Sequence, residues 1–235
     1  MKLIFQKILL TALICLSIYA VAQNRKVKTI ESDVILADFQ SIDIKGNLSV
    51  YIKQGSATKV KIEASEDIID NIKTEIKDGV LYLSSNKMTW DFNDNVQKVS
   101  VIVNELNHIK VKGGAFVYSE NQIKSDIFEI KTEDRTDLTL DIDCKELFVN
   151  ITGSANVNLS GSTNILKAQV SDSGDLRAFK LKAKVCSLEL NHLADVSIYV
   201  TDTIEAIVNG SANLNYKGNP VVKKMDKNGT GLVKD

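Results

Sequence analysis

The chain of 235 residues contains a single proline, Pro220, so no proline-rich linker divides it into domains. Its three cysteines are too few for a disulfide framework, which leaves the fold to be held by its core or by repetition. Two histidines, His108 and His192, make no H-x-x-x-H ligand pair, and C-x-x-C and glycine-rich phosphate-loop motifs are missing as well. Helical periodicity is equally scarce. The best stretch, SEDIIDNIKTEIKDG over 65–79, sets Ile68, Ile69, Ile72 and Ile76 near one helical face. It is also rich in β-branched residues, so it admits a short helix or extended structure.

The N-terminus is organised for export. Lys2 and Lys7 precede and enter an uncharged apolar run, Ile8 to Ala20, that closes on Ala20-Val21-Ala22, the pattern of a secretory signal peptide removed after residue 22. Cys15 lies within the apolar run behind Leu13 and Ile14, not behind the small residues of a lipoprotein cleavage site, which favours soluble release over lipid anchoring. Cleavage removes two lysines and no acid, leaving 27 basic and 30 acidic side chains and no integral membrane segment. A mixed surface with a small negative excess favours neither nucleic acid nor an anionic membrane as a partner. The expected location is the periplasm, the outer surface or the medium.

What the mature chain does contain is alternation with a period of two, for example Val50 with Ile52 and Val99 with Val101 and Val103. Small residues punctuate it at nearly constant spacing. Ala115, Thr136, Ala155, Gly174, Ala194, Ala212 and Gly231 follow one another by 21, 19, 19, 20, 18 and 19 residues. GSAN occurs twice in this series, at 153–156 and 210–213. Each mark is flanked by alternating apolar pairs, so each unit reads as strand, tight corner, strand and looser turn. Such a unit cannot bury its apolar face alone and must stack. The predicted fold is therefore all-β: a right-handed parallel β-helix-like solenoid with coils of about 19 residues and a less regular N-terminal β cap. An antiparallel meander would alternate its turn types, whereas here the corner chemistry returns only at every second strand. The boundaries are a signal peptide over 1–22, a capping β region over 23–103 and the solenoid over 104–235, continuous with the cap.

The corner explains the small residues. Gly153, Gly174 and Gly210 suit unusual dihedrals or close approach of the next coil, and Ala155, Ala194 and Ala212 suit a crowded inside corner. Beside them runs a polar series, Asp137, Asn156, Asp175, Asp195 and Asn213, which stacking would convert into a column at intervals of about 4.8 Å. It reads first as a structural ladder of residues that tolerate corners, and second as a rail for a cation or glycan. No D-x-D-x-D-G calcium loop is present, and no metal or cofactor is expected. Trp90, the only tryptophan, falls in KMTWDFNDN and is either a packed loop residue or an exposed platform for sugar. His192 could pair with Asp172 or Asp195, but nothing marks a nucleophile beside them, so no catalytic residue is assigned. Cys144 and Cys186 fall two coils apart, about 9.6 Å along the axis, beyond the usual Cα separation of a disulfide, and are predicted unbridged. The N-x-S/T tripeptides at Asn47, Asn150, Asn158, Asn209 and Asn228 signal glycosylation only in a cell that has that machinery.

The corners ITGSANV, VSDSGDL and VNGSANL, with the ending LNYKGNPVV and NGTG, resemble the bacterial auto-transporter adhesin, head GIN domain family, over about Phe39 to Val233. The resemblance implies a parallel β-helix-like fold in an exported protein and carries over no catalytic residue. The chain departs from the family's glycines at Ala155, Ala194 and Ala212, and from its Gly-Ser pair at His192-Leu193. The expected function is that of a non-enzymatic envelope or secreted protein, with a surface glycan or an envelope protein as partner. A polysaccharide-active β-helix enzyme, lyase or hydrolase, and a purely structural assembly module are the alternatives.

Overall fold

The computed structural model describes residues 27–32, 38–66, 68–86 and 97–235. The signal-peptide reading and Trp90 lie outside the described residues. Among the described residues seventeen strands form one continuous hydrogen-bonded system. In the N-terminal third these are β1 (Val27–Ser32), β2 (Ser41–Lys45), β3 (Ser49–Gln54), β4 (Lys59–Ser65), β5 (Ile72–Lys77), β6 (Val80–Ser85) and β7 (Lys98–Val103). There follow β8 (His108–Lys112), β9 (Phe116–Ser119), β10 (Ile123–Glu133), β11 (Asp137–Ile151), β12 (Asn156–Val170), β13 (Asp175–Leu190) and β14 (Asp195–Gly210). The last three are β15 (Asn213–Gly218), β16 (Val221–Gly229) and β17 (Val233–Lys234). Stretch 65–79 resolves into one 3-10 turn, Ile69–Asn71, and the strand β5, so its β-branched content prevails over its helical spacing.

The chain winds as a β-solenoid of about 7 turns with coils about 19 residues apart. One parallel sheet runs β6, β2, β8, β10, β11, β12, β13, β14, β16. A second runs β7, β3, β9, β11, β12, β13, β14, β15, β17. Both sheets contain β11 to β14 because these strands are 15 or 16 residues long and bend from one sheet into the other. The looser turn of the sequence reading is thus a bend inside a strand. Its residues pair as well, Asp141–Cys144 with Ser160–Thr163, and form a third, narrow face.

Alternation sorts the side chains. The column Ile42, Ile109, Ile130, Val149, Ala168, Leu188, Ala206 points inward, and each member is at most 4 % exposed. Each fully buried Val, Leu or Ile contributes about 1.5–3 kcal/mol, enough in a stacked column to hold the coils without cross-links. Cys144 and Cys186 join this interior as free thiols. Cys144 pairs with Thr163, which pairs with Ala183, so Cys186 lies two coils and three residues away.

The N-terminal coils stack out of sequence order. Strands β2 and β3 lie between β6 and β7 on one side and β8 and β9 on the other. The later coil therefore sits beneath the earlier one, and the antiparallel strands β5, β4 and β1 flank that end. They offer no further parallel edge for stacking there.

Candidate functional site

Seven successive corners have a residue in the left-handed region, and these stack as Gly46, Gly113, Asp134, Gly153, Asp172, His192 and Gly210, with φ between 60° and 101°. A Cβ at Gly153 would come within 2.8 Å of the Asp134 backbone, so a side chain there would force the two coils apart. Asp172 and His192 hold the same conformation with polar side chains that bond locally: the Gly153 N–H donates to Asp172 Oδ2 at 3.0 Å. Gly174 does not belong to this column. It occupies the inside corner with Ala155, Ala194 and Ala212, where a Cβ would meet Ile151 Cγ2 at 2.6 Å. Thr136 occupies the same position because its hydroxyl donates to the Gly113 and Glu133 carbonyls, both at 3.3 Å.

The polar series forms one column on the outside of the second sheet. Asp137 pairs with Asn156, Asn156 with Asp175, Asp175 with Asp195 and Asp195 with Asn213. Every N–H of the column from Asp137 onward donates to the small-residue carbonyl of the preceding coil, at 2.7–3.0 Å. The side chains bond along the column too: Asn156 Nδ2 donates to Asp137 Oδ1 at 2.8 Å, and Asn213 Oδ1 accepts from the Leu232 N–H at 2.9 Å. An amide between two carboxylates thus supplies the donor that a row of acids lacks. Asp175 and Asp195, where no amide intervenes, are treated differently. Burial raises the Asp175 carboxyl above its ordinary value, the Arg177 guanidinium that bonds it pulls the other way, and the Asp195 charge adds to the rise.

Two residues beyond this column runs a second outward row that the sequence reading missed: Tyr51, Tyr118, Thr139, Asn158, Arg177, Ser197, Asn215. Its signal, from Tyr118 onward, is the constant offset of three residues after each small corner residue; Tyr51 follows Leu48 by the same offset. Tyr51 and Tyr118 stack with ring centroids 5.5 Å apart, Lys98 Nζ lies 5.0 Å from the Tyr51 ring, and Phe116 beside them is 44 % exposed. At the other end, Asn158, Asp175, Arg177, Phe179, Asp195 and Ser197 border a recess of about 580 Å³. The outer side of this sheet is therefore a ruled plane, aromatic at the N-terminal end and lined with amides, hydroxyls and carboxylates along its length. Such a surface can stack on sugar rings and hydrogen-bond their hydroxyls.

The remaining candidates stay apart from it. His192 Nδ1 lies 3.3 Å from Asp172 Oδ1 on a corner where both side chains are more than half exposed, away from the recess. Among the described residues no group of three or more His, Cys, Asp or Glu is arranged to hold a metal ion.

A hydrophobic interior wrapped by parallel strands, with the exterior ruled into polar columns, makes the protein a β-solenoid. It belongs to the family described as "Putative auto-transporter adhesin, head GIN domain", whose model matches residues 38–220. A crystal structure of a "putative adhesin" from Bacteroides fragilis is similar to it, with 26 % identity and a TM-score of 0.82 over 90 % of this chain and 97 % of that one. A "putative adhesin" from Parabacteroides merdae, 19 % identical, has a TM-score of 0.69 over 90 % of this chain and 97 % of that one. A "putative lipid binding protein" from Parabacteroides distasonis, 20 % identical, has a TM-score of 0.69 over 90 % and 98 %. At that identity the two Parabacteroides structures show the fold alone. No curated protein matches the chain.

Proposed function

We propose that this chain is a non-enzymatic, exported, adhesin-like protein that uses the ruled face of its second sheet to bind a surface glycan or another envelope component. One observation carries the reading: the Tyr51–Tyr118 stack and exposed Phe116 share a face with the ladder from Asp137 to Asn213. Aromatic faces beside aligned hydrogen-bonding side chains are what an extended, hydroxyl-rich chain needs for affinity and orientation. Family membership and the Bacteroides fragilis adhesin support the same class. Among the described residues no helix is long and apolar enough to cross a membrane.

The test is a glycan array probed with the mature protein, followed by titration calorimetry on the best ligand. Tyr51→Ala with Tyr118→Ala should weaken binding about tenfold or more, which corresponds to loss of about 1.4 kcal/mol of contact. An unchanged affinity, or no retained glycan or envelope extract component at all, would remove the ruled face from consideration.

A further inference from the structure

The narrow third face holds a second feature, separate from the ruled plane. A recess of about 770 Å³ there is bordered by Lys124, Lys145, Lys182 and Lys184, with Asp126 and Asp143 between them. Both carboxylates are engaged: Asp126 is ion-paired with Lys145 at 2.9 Å, and Asp143 accepts from the Ser162 hydroxyl at 2.7 Å. Lys124, Lys182 and Lys184 have no ion pair among the described residues, and all three are exposed. Lys182 and Lys184 project from one side of β13, about 6.6 Å apart, because the intervening Ala183 is buried at 1 % exposure.

The repeat departs from its rule at this place. Between Asp175 and Asp195 the coil step is 20 residues, and the excess is absorbed in the bend of β13. Pairing with β12 shifts between Asn158 and Ser160, and pairing with β14 jumps from Ala178–Ile198 to Lys182–Tyr199. A bulge of this kind re-aims side chains, and this one immediately precedes the lysines. The partner strand β12 offers Ser162 opposite Lys182, and Asn164 borders the same recess, so uncharged hydrogen-bonding groups lie beside the uncompensated cations.

We propose that this recess binds an acidic glycan, a chain whose sugars carry carboxylate or sulfate groups. The cations match repeated negative charge, the hydroxyl and amide side chains match sugar hydroxyls, and the concave shape suits a chain better than a flat bilayer. It is a cationic spot on a protein of negative net charge, so the attraction is local.

The experiment measures binding of the mature protein to oligogalacturonate and to dextran sulfate, which separate carboxylate from sulfate, with neutral dextran, anionic phospholipid vesicles and a single-stranded oligonucleotide as comparisons. Lys182→Gln with Lys184→Gln should weaken the acidic glycan about tenfold, the binding should fall as salt rises, and neutral dextran should not bind. Lys73→Gln with Lys77→Gln, on exposed β5, should leave the affinity within about twofold, since those charges lie more than a screening length away. Tyr51→Ala with Tyr118→Ala should also leave it intact, which separates this site from the ruled face. The proposal is overturned if neither acidic glycan binds, if the Lys182/Lys184 variant binds as well as wild type, or if the β5 variant loses as much. Equal or stronger capture of vesicles or oligonucleotide overturns it as well.

Discussion

Two glycines in the left-handed region allow the contribution of coil stacking to be separated from that of backbone conformation. Gly153 has φ 83° at a corner, where a Cβ would lie 2.8 Å from three backbone atoms of Asp134 in the preceding coil. Gly79 has φ 74° in the Asp78-Gly79 hairpin between β5 and β6, where a Cβ would meet nothing within 4 Å. Alanine at either position suffers the left-handed penalty of about 1–2 kcal/mol. At Gly153 the coils must also separate, straining the bonds from the Ser154 N–H to Asp134 O at 2.9 Å and from the Ser173 N–H to Gly153 O at 3.0 Å. Overpacking of that kind adds about 1–3 kcal/mol, so Gly153→Ala should lose about 3 kcal/mol in all. For a chain of this size each kcal/mol lowers Tm by roughly 2–4 °C, which places Gly153→Ala about 6–12 °C below wild type. Thermal melts followed by circular dichroism, with denaturant unfolding as a second measure, compare the two variants directly. If Gly153→Ala is no less stable than Gly79→Ala, the stacking register at the corner is refuted.

Ala155→Leu and Ala212→Leu place three extra carbons at inside corners with 0 % exposure and should each lower stability by about 1–3 kcal/mol in denaturant unfolding. Thr132 is 1 % exposed, its hydroxyl has no partner among the described residues, and its column neighbours are Val111 and Ile151; Thr132→Val should therefore raise stability by about 1 kcal/mol, and a loss would show that the hydroxyl is satisfied. A carboxyl raised in the folded state holds its proton more tightly there, so the stability contributed by Asp175 is present in acid and lost as pH rises from the unfolded value of about 3.9 through the folded one. Asp175→Asn should gain on wild type across that window, and parallel stability–pH curves would refute the assignment. Burial pushes the Cys186 thiol up to about 12 and raises Cys144 as well, so iodoacetamide at mildly alkaline pH should label neither in the folded protein and both after unfolding, as read by mass spectrometry.

The solenoid was legible because its rule is local. A parallel stack brings residues about 19 apart into register, so the series from Ala115 to Gly231 states the pairing of Asp137, Asn156, Asp175, Asp195 and Asn213 almost outright. Three things were less visible. The bend at Asp141–Cys144 is extended backbone with inward Ile142 and Cys144, and alternation alone cannot say where such a strand turns. The left-handed corner position tolerates Asp134, Asp172 and His192, so glycine alone does not mark it: Asp172 holds the strained position in the coil whose small inside-corner residue is Gly174. The placement of β6 and β7 beneath β2 and β3 depends on contacts between distant segments that share no corner motif. For the candidate site, the ladder was readable from its offset. The Tyr51–Tyr118 stack was not, because the two tyrosines are 67 residues apart and become neighbours only through that non-sequential stacking.

That inverted order has a consequence for how the protein is made. A uniform stack can nucleate at any coil and extend from either end, adding neighbours as they emerge. Here the first coil completed by the ribosome, β2 with β3, has no neighbour on either side until β6 and β7 have followed it. The chain must then step over that coil to lay β8 and β9 on its far side. Such distant pairings must first overcome loop-closure entropy. The β2–β3 coil therefore has to wait for its partners, while β11 to β14, once synthesised, can pair through contacts about 19 residues apart. Pulsed hydrogen exchange during refolding should find β12 and β13 protected before β2, although β2 is made first.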